Sequence, residues 1–244
     1  MKSISKVHLK LPKKFPKDLL KITIYKDQTA LNNKNFSKIG NNHKDTLKKR
    51  PISSATRRLR KKIERQLSLS ALIESAKSAK LQLPPKIIKD KAGAPMQTTN
   101  AVFSMSHSYP YGGAIVGKRN QILATGIDLQ VIPQKIGKLE RKILSPQERK
   151  SHSGKILKDS SKTLIKLFAA KEASFKAIYS LLAVRTFLKE LQAHFIAPNF
   201  FLIKLPKTIA KKLGEKTKIR GYVKNHKNYI LSVVWIKKTK TNAA

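Results

Sequence analysis

A chain of 244 residues, 40% hydrophobic and with 53 Lys and Arg against 13 Asp and Glu, has a globular composition with room for one large domain or two small halves sharing a core. With no cysteine it can form no disulfide, no thiolate zinc site and no cysteine nucleophile, so any metal must be held by oxygen or imidazole. The formal charge of +40 attracts polyanions in general, whether nucleic acid, anionic lipid, acidic protein or phosphorylated small molecule, and selects none of them because lysine is spread along the whole chain.

Residues 1–17 alternate lysine with single apolar side chains and contain no continuous hydrophobic segment, so a cytoplasmic location is expected. No apolar run approaches the roughly eighteen residues a membrane span needs. A weak strand is predicted over 21–25 and a loop over 31–43. From 54 to about 79 the pattern is helical, with Leu59, Ile63, Leu67, Leu72 and Ile73 as its apolar positions and Arg57, Arg58, Arg60, Lys61, Lys62 and Arg65 on its surface. Pro84 and Pro85 end it. A turn at 91–95, a strand over 101–106 and a glycine-rich bend at 109–113 follow. Residues 121–133 read as one buried strand or two. Ser145-Pro146 with Glu148 opens a helix, serine as cap and glutamate closing a capping box. The strongest helix covers 163–184, and strands are predicted over 193–205, 219–223 and 229–236, the last two joined as a hairpin. With a break near 118–120, the expectation is a mixed α+β chain of two similar halves, 1–120 with a basic N-terminal extension and 121–244.

With so few acids, the place of each is informative. Glu64 and Glu74 lie on the basic helix, where they can pair with neighbours. Only Asp128 and Glu172 fall inside strongly apolar segments.

Three constellations could carry chemistry. On the long helix, Leu164, Phe168, Phe175 and Tyr179 form an apolar stripe that also holds Glu172, and Lys176 lies one turn further on. An ordinary Glu–Lys helix pair is the plain reading; a carboxylate compensated by a cation at a site is the other. In Gly126-Ile127-Asp128-Leu129-Gln130, Asp128 and Gln130 share a strand face and could offer oxygens to Mg²⁺, or Asp128 could merely cap a turn. Ser104-Met105-Ser106-His107-Ser108 places hydroxyls and an imidazole where a phosphate could be held, although a lone loop histidine is commonly just exposed. A serine-hydrolase motif is missing: there is no Gly-x-Ser-x-Gly, and no Asp adjoins Ser106 or His107 in the chain.

Taken in order, these segments resemble the 4′-phosphopantetheinyl transferase superfamily, in its larger surfactin- and enterobactin-synthetase type. Its motifs, roughly Ser-x-Ser-His-Ser, Gly-Ile-Asp-x-Glu and an aromatic followed by two small residues and Lys-Glu-x-x-x-Lys, are similar to 104–108, 126–130 and 168–176. Gly93-Ala94-Pro95 resembles the Gly-Lys-Pro turn near the adenine without its lysine; Arg57 and Arg65 fall where some members carry basic residues; 143–146 matches the segment between the last two motifs. The likeness covers about 56–182.

The resemblance implies two α/β halves about a pseudo-twofold axis with the active site in the cleft between them. It implies Asp128 and Glu172 as Mg²⁺ ligands, with Gln130 where many members have Glu. Lys176 would neutralise the reacting phosphates, Glu172 would serve as base, and Ser106, His107, Lys171, Arg57, Arg65, Gly93 and Pro95 would contact coenzyme A, with the carrier as the alternative contact of Lys171. The implied reaction moves phosphopantetheine from coenzyme A onto a serine of an acidic acyl or peptidyl carrier protein, releasing 3′,5′-adenosine bisphosphate. A monomer is expected. The basic surface would steer coenzyme A and carrier rather than nucleic acid. The rival expectations are a non-catalytic, basic nucleic-acid-binding protein and a family member that binds coenzyme A without turnover.

Overall fold

The structure, a computed structural model, describes residues 4–7, 9, 11–13, 15–28, 54–132, 139–152, 160–214 and 217–238. The loop expected at 31–43 lies outside these. In the first half come β1 (Ile4–Lys6), β2 (Leu20–Asp27), α1 (Ser54–Ser78), β3 (Ala101–Ser108) and β4 (Tyr111–Lys118), the strands forming an antiparallel sheet in the order β1-β2-β4-β3. In the second come β5 (Ile122–Val131), α2 (Leu139–Ile143), α3 (Pro146–His152), α4 (Ser160–Leu182), a single 3-10 turn at Leu188–Glu190, β6 (Gln192–Ala197), β7 (Phe200–Lys204), α5 (Lys207–Leu213), β8 (Ile219–Asn225) and β9 (Tyr229–Lys237). Their strands form an antiparallel sheet in the order β5-β9-β8-β7-β6. The class is α+β, as expected.

Strand alternation decides the layering. One face of the first sheet turns Phe103, Ala114 and Val116 to Ala71, Leu72 and Ala76 of α1. Its other face turns Leu20, Ile24, Val102 and Ile115 to Ile127, Leu129, Leu231, Val233 and Trp235 of the second sheet. The outer face of that second sheet is covered by α4. The result is helix, sheet, sheet, helix, each sheet carrying one long helix on its outside. No helix among the described residues is long and apolar enough to cross a membrane.

Two glycines set how closely the helices approach. A Cβ on Gly112 would stand 2.5 Å from Leu67 Cβ, and one on Gly126 would stand 1.9 Å from the Ala173 carbonyl oxygen. Small residues on the helices answer them: Ala71 and Ala76 on α1, Ala169, Ala170, Ala173 and Ala177 on α4.

This close approach corrects two expected faces. On α1, Leu59 and Ile73 are 52% and 59% exposed, and the buried face runs through Leu67, Ala71, Leu72 and Ala76. On α4 the aromatic stripe is not the core face; Phe168, Phe175 and Tyr179 are only half-buried, at the rim of the sheet, because the alanine face takes the core. The glycine-rich bend shrinks to Tyr109-Pro110, with Gly112 and Gly113 inside β4. Residues 121–133 hold one strand, 193–205 hold two, and β8–β9 is the predicted hairpin. The capping box forms as expected: Glu148 N–H donates to Ser145 Oγ at 3.1 Å and Ser145 N–H to Glu148 Oε2 at 2.8 Å.

Candidate active site

β3 and β5 are edge strands of different sheets, and serine hydroxyls join them. Ser104, Ser106 and Ser108 lie on one face of β3, and their Oγ atoms accept the N–H groups of Ile127, Leu129 and Val131 at 3.3, 3.1 and 3.0 Å. An edge strand leaves alternate N–H groups unpaired; here serines two residues apart satisfy N–H groups two residues apart.

Asp128 stands beside this joint, 3% exposed and mid-strand rather than capping a turn. Its Oδ1 accepts from Ser106 Oγ at 3.0 Å and from Lys176 Nζ at 2.7 Å, and its Oδ2 accepts from Gln130 Nε2 at 2.8 Å. Lys176 Nζ also donates to the Ile127 carbonyl at 2.9 Å and to Ser106 Oγ at 3.1 Å. Thus Lys176 forms its ion pair with Asp128, not with Glu172 along the helix. Gly126 makes this possible, since it brings α4 against β5 where Lys176 can reach across.

Glu172 lies one turn before Lys176, half-buried. Burial pushes its carboxyl above the usual carboxylate range, the charge of Asp128 pushes it further, and Lys176 opposes in part. With Phe175, Arg141, Lys142, Phe187 and Leu188 it lines a cleft of about 470 Å³.

The first half supplies a cationic wall. Glu64 of α1, 8% exposed, accepts the Tyr109 N–H at 3.0 Å and lies 3.3 Å from Arg60 Nε and 3.4 Å from His107 Nδ1. Burial lowers the basicity of His107; Glu64 raises it, and Lys176, Lys89 and Arg65 lower it. The net result is an imidazole below its ordinary pKa, within the fields of three cations. Beyond Lys89, Asp90 Oδ1 accepts the N–H groups of Ala92 and Ala94, both at 2.9 Å, and closes a turn in which Gly93 takes φ +84°. Lys89 and Pro95 pair across it. Asp90 Oδ2 accepts the Tyr179 hydroxyl of α4 at 2.9 Å.

The structure therefore gathers Ser106, His107, Arg65, Asp128, Gln130, Glu172 and Lys176, and sets Gly93 and Pro95 on a turn tied to the same helix. Three expectations change. Lys171, expected at a phosphate or the carrier, is fully buried, its Nζ donating to Glu148 Oε2 at 2.5 Å and to the Ile143 carbonyl at 2.6 Å. Helical geometry puts Lys171 about 100° around the axis from Glu172, on the core side. Ser106, expected at a phosphate, is 5% exposed and spends its hydroxyl on Asp128, Leu129 and Lys176. Arg57 is exposed eight residues before Arg65, and no described contact joins it to the His107 group.

Lys89 went unnoticed in the sequence, where one lysine among so many carries no signal. Asp27, Glu64 and Glu148 are also buried acids. Glu64 and Glu148 had partial signals, an acid on a basic helix and a capping-box position.

Carboxylates and a lysine at a joint between two sheets, faced by further cations, define a centre suited to phosphate chemistry. Residues 124–234 match the model of the 4′-phosphopantetheinyl transferase superfamily. The match includes Asp128, Gln130, Lys171, Glu172 and Lys176. Among solved structures, the chain is similar to the holo-ACP synthase of Plasmodium yoelii at 20% identity and TM-score 0.41, over 49% of this chain and 97% of that one. It is similar to a holo-(acyl-carrier-protein) synthase of Bacillus anthracis in complex with CoA (3′,5′-ADP) at 17% identity and TM-score 0.40, over 49% and 99%. The Helicobacter pylori holo-[acyl-carrier-protein] synthase in complex with coenzyme A matches at 22% identity and TM-score 0.37, over 46% and 98%. No curated protein matches the chain.

Proposed function

We propose that this chain transfers the 4′-phosphopantetheine group of coenzyme A to a serine of an acidic acyl or peptidyl carrier protein, releasing 3′,5′-adenosine bisphosphate, as a member of the larger type of its family. The observation that carries the reading is the Lys176–Asp128 contact beside Glu172, inside the family segment and facing His107, Arg65 and Lys89 from the other half. The two halves, each a sheet with one outer helix, are taken as 1–120 and 121–244, related by a pseudo-twofold axis.

The donor set fits magnesium. Asp128 and Glu172 lie close enough for one to hinder ionisation of the other, and Mg²⁺ commonly uses one or two carboxylates together with substrate phosphates. Among the described residues no third His, Asp or Glu joins them, so Gln130 would add only a neutral oxygen. Asp128 and Glu172 would hold the ion, and its positive charge would lessen the repulsion between the phosphates and the attacking hydroxyl.

The chain's own residues do the rest. Lys176 neutralises charge that grows on the attacked and departing phosphates. Glu172 takes the proton of the carrier serine, directly or through water. His107, Arg65 and Lys89 hold the phosphates of coenzyme A. Ser106 fixes Asp128 and Lys176, and the Lys171–Glu148 pair fixes the helix that carries Glu172. The excess of lysine draws in a tri-anionic substrate and an acidic carrier, and a cytoplasmic monomer is the working assembly.

The test is a mass measurement. Coenzyme A, Mg²⁺ and apo-carrier with the chain should yield carrier heavier by one phosphopantetheine, and Glu172→Gln should slow this at least about a hundredfold, the low end for losing a base. No mass gain with either acyl or peptidyl carriers, or full activity in Glu172→Gln, overturns the reading. If the chain instead binds DNA or RNA with steep salt dependence that survives loss of Asp128 and Glu172, it is a basic nucleic-acid binder.

A further inference from the structure

Glu172, Lys176 and Tyr179 are spaced by four and three residues and lie along one face of α4. The first two face the carboxylate centre. Tyr179 stands about 4.5 Å further along the helix axis, by the 1.5 Å rise per residue, and reaches the opposite half of the molecule. Its hydroxyl donates to Asp90 Oδ2 at 2.9 Å.

Asp90 is the organiser of its turn. Its Oδ1 holds the Ala92 and Ala94 N–H groups, its own N–H donates to the Ala94 carbonyl at 2.9 Å, and its carbonyl accepts the Gly93 N–H at 2.9 Å. The turn stands out from the surface, with Lys89, Lys91, Ala92 and Gly93 exposed. Among the described residues, Tyr179 makes its one side-chain hydrogen bond to α4. Immediately before Asp90 comes Lys89, whose charge acts on His107. A surface turn held only by its own hydrogen bonds would sample other positions and carry Lys89 with it.

We infer that Tyr179 is a positioning residue: through Asp90 it fixes the 89–95 turn, and with it Lys89, one of the residues assigned above to the phosphates of coenzyme A. The inference rests on the proposed reaction for its ligand, while the latch itself is independent of it. Phe175 packs on the Tyr179 ring with centroids 5.9 Å apart, so Tyr179→Phe keeps that packing and removes only the hydroxyl.

The experiment compares wild type with Tyr179→Phe in three measurements: amide hydrogen exchange, titration with 3′,5′-adenosine bisphosphate, and steady-state kinetics. Residues 90–95 should exchange faster in the variant while α4 and β5 stay as in wild type. The nucleotide Kd and the KM for coenzyme A should rise about tenfold, the scale of one hydrogen bond to a charged group. The kcat, the KM for carrier and the melting temperature should stay unchanged. Asp90→Ala should weaken nucleotide binding in wild type but add little in the Tyr179→Phe background, because the two act as one unit. Unchanged exchange at 90–95, or faster exchange with unaltered nucleotide affinity, overturns the inference. Failure of the wild type to bind the nucleotide removes the proposed reaction, and the nucleotide role of the turn with it, whereas the exchange measurement still decides whether the latch exists.

Discussion

Lys176 Nζ donates to Asp128 Oδ1 across 2.7 Å, from a helix to the edge strand it covers, and Asp128 is 3% exposed. The ammonium is thus the cation that makes a buried carboxylate tolerable. Lys176→Ala should act in two ways. Stability should fall by about 1–3 kcal/mol, less than the roughly 3–5 kcal/mol for a fully buried pair, because the lysine is 28% exposed. Turnover at saturating coenzyme A should fall further than affinity, because the charge it meets develops in the transition state. Urea melts and steady-state kinetics read the two effects separately. A rise in KM with unchanged kcat would make Lys176 a binding residue only.

Gln130 lies two residues from Asp128 on the same strand face and donates to its Oδ2. As a neutral oxygen donor it should be dispensable. Gln130→Ala should raise the Mg²⁺ requirement modestly, Gln130→Glu should lower it, and Asp128→Ala should be nearly inactive at any practical Mg²⁺ concentration. Activity titrated against Mg²⁺ in the three variants decides. If Gln130→Ala is as inactive as Asp128→Ala, the ranking of ligands is wrong.

His107 should couple nucleotide binding to pH. Burial and the charges of Lys176, Lys89 and Arg65 outweigh Glu64 and hold the imidazole below its ordinary value. The fold therefore favours the neutral ring, and what this group contributes to stability is present above about pH 6.5 and lost as pH falls below it. A bound phosphate would screen the three cations and favour imidazolium. Binding of 3′,5′-adenosine bisphosphate should then take up protons and tighten as pH falls from about 8 to about 6. Calorimetry in buffers of different ionisation enthalpy measures that uptake, which His107→Gln should abolish. Equal uptake in the variant assigns the proton elsewhere.

Gly126 is a steric requirement, Gly93 a conformational one. A Cβ on Gly126 meets the Ala173 carbonyl oxygen at 1.9 Å, a backbone atom that moves only with α4. Gly126→Ala should cost about 3 kcal/mol or more and carry Glu172 and Lys176 away from Asp128. At Gly93 the space around a Cβ is open, but φ is +84°, so Gly93→Ala should cost only about 1–2 kcal/mol. Thermal melts should rank the two in that order; similar losses would mean α4 tolerates displacement from β5.

Sequence by itself determined the two long helices and the last hairpin and singled out Asp128, Glu172 and Lys176, but it did not show β4 (Tyr111–Lys118) or α5 (Lys207–Leu213). The periodicities behind α1, α4 and the β8–β9 hairpin are local, and so is the Ser145–Glu148 capping box. Asp128 and Glu172 were conspicuous because an unpaired carboxylate in an apolar segment costs free energy and so needs a reason. Tertiary structure decided how these residues are used. Lys171 and Lys176 are both lysines of one helical motif, yet a rotation of five residues about the axis puts one in the core on Glu148 and the other on Asp128. The three serines of β3 read as candidate phosphate donors, but each accepts an N–H from β5, a strand that only folding brings beside them. Tyr179 meets the turn that carries Lys89 solely because folding brings together a surface turn and a helix 89 residues apart at Asp90. Long-range partners of this kind leave no periodic trace in the chain, since the free energy that selects them comes from packing two sheets together and not from neighbouring residues.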